Sequence, residues 1–144
     1  YWSDNIGLAA ALTTIRELKR RDAKTRFREI GEQLRSALND AFRAADLAGA
    51  CLGLHTNPYL QIDLPDESLR PQVNTLFVQE MARRGIHCLP AFKATLAHTQ
   101  RDIDQTAAAA YETFRIIRHG LKTAQLDDLL VADLKKEPFR RQVR

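Results

Sequence analysis

The chain has 144 residues, 44% of them hydrophobic and 28% charged, with a formal net charge of +4. That length fits one compact domain, and the composition sets the chain apart from disordered and membrane proteins. No apolar run approaches the roughly 18 residues of a spanning helix, and Tyr1 to Asn5 lack the basic start and apolar middle of a signal peptide. A soluble, cytoplasmic chain is expected. The single methionine is Met81, so the sequence reads as part of something longer or as a processed product.

Residues 4–20 predict a helix. Asp4 is placed to cap it, and Leu8, Ala11, Leu12, Ile15 and Leu18 recur at helical spacing. Arg16, Lys19, Arg20 and Arg21 crowd its last turn, where positive charge suits the carbonyl end of the helix dipole. A second helix begins near Asp22 or Ala23, with Phe27, Ile30, Leu34, Ala37, Leu38, Ala41 and Phe42 as its apolar stripe. It stops before Gly49.

The period then changes. Cys51 to His55 predicts a short strand, Asn57-Pro58 a turn, and Tyr59 to Leu64 a strand whose Leu60, Ile62 and Leu64 share one face. A third helix follows Pro65 to Ser68, carrying Leu69, Val73, Leu76, Phe77 and Met81, with Pro71 in its first turn and Gly85 beyond its end. Ile86 to Leu89, stopped by Pro90, predicts another strand, and Ala94 to Ala97 a short extended piece. The last helix starts at Thr99, with Asp102 completing a capping box, and buries Ile103, Ala107, Ala110, Phe114 and Ile117 before ending at Gly120. Residues 1–121 are thus expected to form one domain. Residues 122–144 are a charged tail that packs over a neighbouring surface or stays partly disordered. The order of elements gives an α+β fold, helices packed on a small sheet of about three strands.

Few residues carry chemistry by their spacing. Residues 16–43 hold nine bases and five acids, but the bases lie between regularly spaced apolar residues, as on the wet face of a helix. Nucleic acid is therefore not expected as a partner. His55, His87, His98 and His119 show no zinc-ligand spacing, and no metal is expected. His87 and Cys88 adjoin, but neighbours on a strand point to opposite faces. Cys51 and Cys88 form no CxxC pair and are expected as reduced thiols. No phosphate loop and no nucleophile elbow is present, and Asp102 and Asp104 are explained by the start of the last helix.

Two stretches carry a resemblance. Ser3 to Thr14, SDNIGLAAALTT, is similar to the SGNPLAMAAGLAT segment that opens the C-terminal small domain of class III, PLP-dependent aminotransferases. Arg84 to Asp104, RGIHCLPAFKATLAHTQRDID, resembles the pattern RGVYLPPSxFEAxFLSxAHTxEDID of the glutamate-1-semialdehyde aminomutase branch. The tail's Pro138-Phe139-Arg140-Arg141 is also similar to tails in that branch.

The resemblance implies the small domain of a fold-type I PLP enzyme, a homodimer acting on a small amine or amino acid. Its partners are its own large domain and a second identical subunit. The Schiff-base lysine and the aspartate on the pyridine nitrogen belong to the large domain, so no catalytic residue is expected here. By itself the chain is expected to be inactive, with no pyridoxal 5'-phosphate bound to it alone. Ser3 and Asn5 match the family pattern near the cofactor phosphate, although helix capping explains them equally well. Lys93 stands where the branch has the glutamate of FEA, on the substrate side of the cleft. The reversed charge favours a carboxylate or phosphate over an amine. A plain surface lysine is the alternative there. For the whole chain the alternative is a free-standing α+β ligand-binding or regulatory module.

Overall fold

The computed structural model describes residues 4–134. Four helices accompany a two-stranded antiparallel sheet, in the order α1 (Asn5–Arg20), α2 (Ala23–Ala45), β1 (Gly49–Leu54), β2 (Asn57–Ile62), α3 (Arg70–Arg83) and α4 (Gln100–Thr123). The α+β class is the one the sequence predicts. Short 3-10 turns at Glu67–Leu69 and Asp127–Leu129 precede α3 and follow α4.

Helix ends follow local chemistry. The Asp4 carboxylate accepts from the backbone N–H groups of Ile6 and Gly7, at 3.1 and 3.2 Å, and so caps α1. At α4 the capping box is complete. The Thr99 side chain accepts from the Asp102 N–H, and the Asp102 carboxylate accepts from the Thr99 N–H at 2.8 Å. Pro71 falls in the first turn of α3, where a missing N–H costs nothing.

The core lies between α2, α4, α3 and the inner face of the sheet. Leu38, Val73, Leu76, Phe77, Phe114 and Ile117 are fully buried there. Phe42 stacks on Phe114 with ring centroids 4.1 Å apart, joining α2 to α4. On β2, Pro58, Leu60 and Ile62 point inward while Tyr59 and Gln61 face out, as the alternation requires.

Several expectations shift. The hairpin turn sits at His55-Thr56, and Asn57-Pro58 opens β2 instead of making the turn. The expected strand at 86–89 is irregular, and so is the piece at 94–97. The stretch 90–94, which takes in the start of the second piece, lies beside β2. The N–H of Leu60 donates to Pro90 O (2.8 Å), that of Phe92 to Pro58 O (2.8 Å) and that of Ala94 to Thr56 O (3.2 Å). Within that stretch only the Tyr59–Ala91 bridge qualifies as β pairing. The cause is chemical. Each close pair of an antiparallel ladder exchanges two bonds, and in two pairs the return donor is a proline, Pro58 or Pro90, which has no N–H.

Gly120 does not end α4, which continues to Thr123 and turns at Ala124 in the left-handed region (φ 55°). A β-carbon on Gly120 would lie 2.8 Å from Leu126 and 2.9 Å from Leu129, so the glycine admits the returning chain. Leu126 is buried there, and the Gln79 side chain donates to Leu129 O (2.9 Å) and accepts from the Val131 N–H (2.8 Å). The described part of the tail is thereby laid against α3 and α4. The Pro138–Arg141 motif lies outside the described residues, as does Ser3.

Candidate functional site

Helix α1 stands apart from the packing. It buries none of its residues, and Ile6, Leu12 and Ile15 are 80%, 49% and 52% exposed. Leu8, Leu12, Ile15 and Leu18 lie along one side of the helix. Asn5 opens this helix and lines a shallow groove with Ile6, Ala9 and Thr13. The first amides of α1, the usual place for a phosphate, already donate to Asp4. A cofactor phosphate would meet that carboxylate, so the described residues do not by themselves make a seat for PLP.

The basic run of residues 16–43 lies on exposed parts of α1 and α2. Within it Arg20 and Arg21 pair with Glu17, Arg26 with Glu29, and Arg43 with Asp40. The two arginines hold the Glu17 carboxyl well down, at about 2. Much of the positive charge is therefore met by acids on the same helix.

A second feature is a cleft of about 260 Å3 between α2, the first turns of α4 and the 86–93 segment. Ile30, Leu34, Phe92 and Ile103 give it an apolar wall. Lys93, His98, Cys88 and His87 supply its polar groups. The ammonium of Lys93 donates to Asn57 Oδ1 at 2.6 Å, a neutral partner at the start of β2. Among the described residues Lys93 makes no ion pair. The Thr95 N–H donates to His98 Nδ1 at 3.1 Å, which leaves the ring proton on Nε2. Asp102 also lines the cleft. Its carboxyl is held below the usual range by the Thr99 N–H and hydroxyl that donate to it.

His87 and Cys88 both line this cleft, contrary to the expectation of opposite faces, because residues 86–89 are irregular and strand alternation does not apply. Cys51 and Cys88 are free thiols, and burial pushes each up to about 11, so neither is a ready nucleophile. Among the described residues no group of three or more His, Cys, Asp or Glu is placed to hold a metal ion. No described helix is long and apolar enough to cross a membrane. Two hydrogen bonds that hold the cleft's polar side chains are not evident from sequence. Asn57, expected as a turn residue, reaches Lys93 through the pairing of segment 90–94 with β2. His98 is fixed by Thr95, and only the three-residue spacing from Thr95 to His98 hints at it.

Among known proteins, the chain is similar to the glutamate-1-semialdehyde 2,1-aminomutase of Paracidovorax citrulli (strain AAC00-1). The two are 32% identical over 127 residues, taking in 80% of this chain and 29% of the relative. The chain therefore spans less than a third of that enzyme's length. No family model matches the sequence, and no solved structure matches it.

Proposed function

We propose that the chain is the C-terminal small domain of a PLP-dependent class III aminotransferase or aminomutase. Residues 1–121 are the domain and 122–144 its charged C-terminal tail, whose described part, to residue 134, lies against α3 and α4. The observation that carries this reading is α1. A 16-residue helix is marginal on its own in water, and most helices are held by burying an apolar face. This one is capped and amphipathic, yet the described residues bury none of its side chains. On this reading, which the similarity to a longer enzyme supports, the large domain of the parent and a second identical subunit cover the apolar face of α1. A free-standing module would leave that face in water.

In the parent, a cytoplasmic enzyme acting on a small amine or amino acid, PLP supplies the electron sink. This domain's own work is to close over the cofactor cleft and keep water out. On this reading Ser3 and Asn5 serve as contacts to the phosphate edge of a cofactor held by the large domain. Lys93 stands on the substrate side. The Schiff-base lysine belongs to the large domain, so the isolated chain is catalytically silent.

The test is to read the encoding frame upstream of the Tyr1 codon and to express its whole product. The expected result is a further domain with a lysine that forms an imine with PLP, visible by absorbance and lost on borohydride reduction. A frame that starts just before Tyr1, or a whole product that takes up no PLP, would overturn the reading.

A further inference from the structure

We propose that the cleft between α2, the start of α4 and the 86–93 segment binds a small organic monoanion, a carboxylate with an apolar body. The site is assembled wholly from this chain. Only the identification of its occupant with a substrate rests on the enzyme reading proposed above.

Lys93 sets the sign of the ligand. An ammonium at the mouth of an apolar cleft normally finds an acid, and this one finds the amide oxygen of Asn57. That hydrogen bond fixes the position of the charge without neutralising it. His98 adds a second donor at Nε2, since its Nδ1 accepts from the Thr95 N–H. The Cys88 thiol stays protonated and contributes no negative charge. Two donors, one of them charged, therefore meet a wall of Ile30, Leu34, Phe92 and Ile103. A carboxylate satisfies the donors while its carbon chain covers the wall.

The valence follows from Asp102. This acid lines the same cleft and is committed to Thr99, so it cannot turn away without losing the cap of α4. One fixed negative charge beside one positive charge tolerates a monoanion and opposes a phosphate dianion. The volume of about 260 Å3 suits a body of a few carbons.

Pentanoate, its neutral isostere pentanamide and inorganic phosphate are the probes, titrated into the 15N-labelled chain and followed by amide shifts. Pentanoate is expected to give saturable shifts confined to residues 30–34, 86–98 and 102–106, with pentanamide about fivefold weaker, the upper range for one exposed charge pair. Phosphate should bind more weakly than pentanoate. Lys93→Gln should erase the preference for pentanoate over pentanamide, and Lys93→Arg should keep it. Because Lys93 is exposed, neither change threatens the fold. Equal binding of pentanoate and pentanamide, absent or non-saturable shifts, or shifts centred on α1 would each overturn the site. Where self-association broadens the spectra, protection of Lys93 from acetylation by pentanoate, read by peptide mass, separates the same outcomes. Failure here with PLP still taken up by the whole product removes only this site. Failure of PLP uptake with pentanoate still bound removes only the enzyme reading.

Discussion

Gly31 of α2 passes so close beneath His55 that a β-carbon on it would lie 2.2 Å from the His55 carbonyl oxygen. The helix thus rests directly on the hairpin turn, backbone against backbone. In an open helix interior, Gly→Ala gains about 1 kcal/mol. Here the neighbour is main chain and cannot swing aside, so overpacking outweighs that gain. Gly31→Ala is expected to cost about 1–3 kcal/mol in urea unfolding. A neutral or stabilising result would show that α2 and the hairpin are farther apart.

The outer edge of β1 is closed by side chains of α2. Asn39 donates to the Cys51 carbonyl (3.3 Å) and accepts from the Cys51 N–H (2.8 Å), and Arg35 donates to the Gly53 carbonyl (3.3 Å). Removing Asn39 strands two backbone groups of a buried residue. Asn39→Ala should cost about 1–3 kcal/mol and leave an open strand edge prone to pairing with other chains. Denaturant unfolding measures the first effect and light scattering the second. Asn39→Asp, which keeps the acceptor, should be milder by both.

Glu80 is only 4% exposed, yet it stays charged among Arg83, Arg84 and Gln79. Burial pushes its carboxyl up. Hydrogen bonds from Arg84 and Gln79, with the charges of both arginines, more than offset this and hold it below the usual value. A depressed folded value means stability that is present above the unfolded pKa, near 4.3, and is lost as pH falls through the folded one. Asp102, held down by Thr99, has the same sign. Stability should therefore fall as pH drops below about 4.3. Glu80→Gln should flatten that slope while costing about 1–2 kcal/mol at neutral pH. An unchanged acid limb would mean that other carboxylates carry it.

Features set by neighbours in sequence were legible and those set by distant partners were not. Asp4, Thr99 with Asp102, and Pro71 act within one turn, so their roles read directly from spacing. The third strand failed because its pairing depends on where Pro58 and Pro90 meet in space. Gly120 looked like a terminator, but Leu126 and Leu129 give it its purpose. At the candidate site Lys93 stood out by its charge against the family pattern, while its partner Asn57 needed the register of β2 against segment 90–94. The apolar stripe of α1 is plain in the sequence, and only the structure shows that none of its residues is buried in the described chain.

That uncovered stripe contrasts with the core. Leu38 is fully buried, so Leu38→Ala removes packed methyls and should cost about 3 kcal/mol. Leu12 and Ile15 are about half exposed on a helix with no buried residue, so the double change Leu12→Ser, Ile15→Ser should move stability by no more than about 0.5 kcal/mol. The same double change should alter association strongly. The unmodified chain is expected to self-associate or bind an apolar dye through α1, and the doubly substituted chain to run as a monomer with little dye signal. Sedimentation and dye fluorescence measure both. A large loss of stability would show that α1 packs against its own chain in solution, and the face offered to a larger enzyme would then be absent.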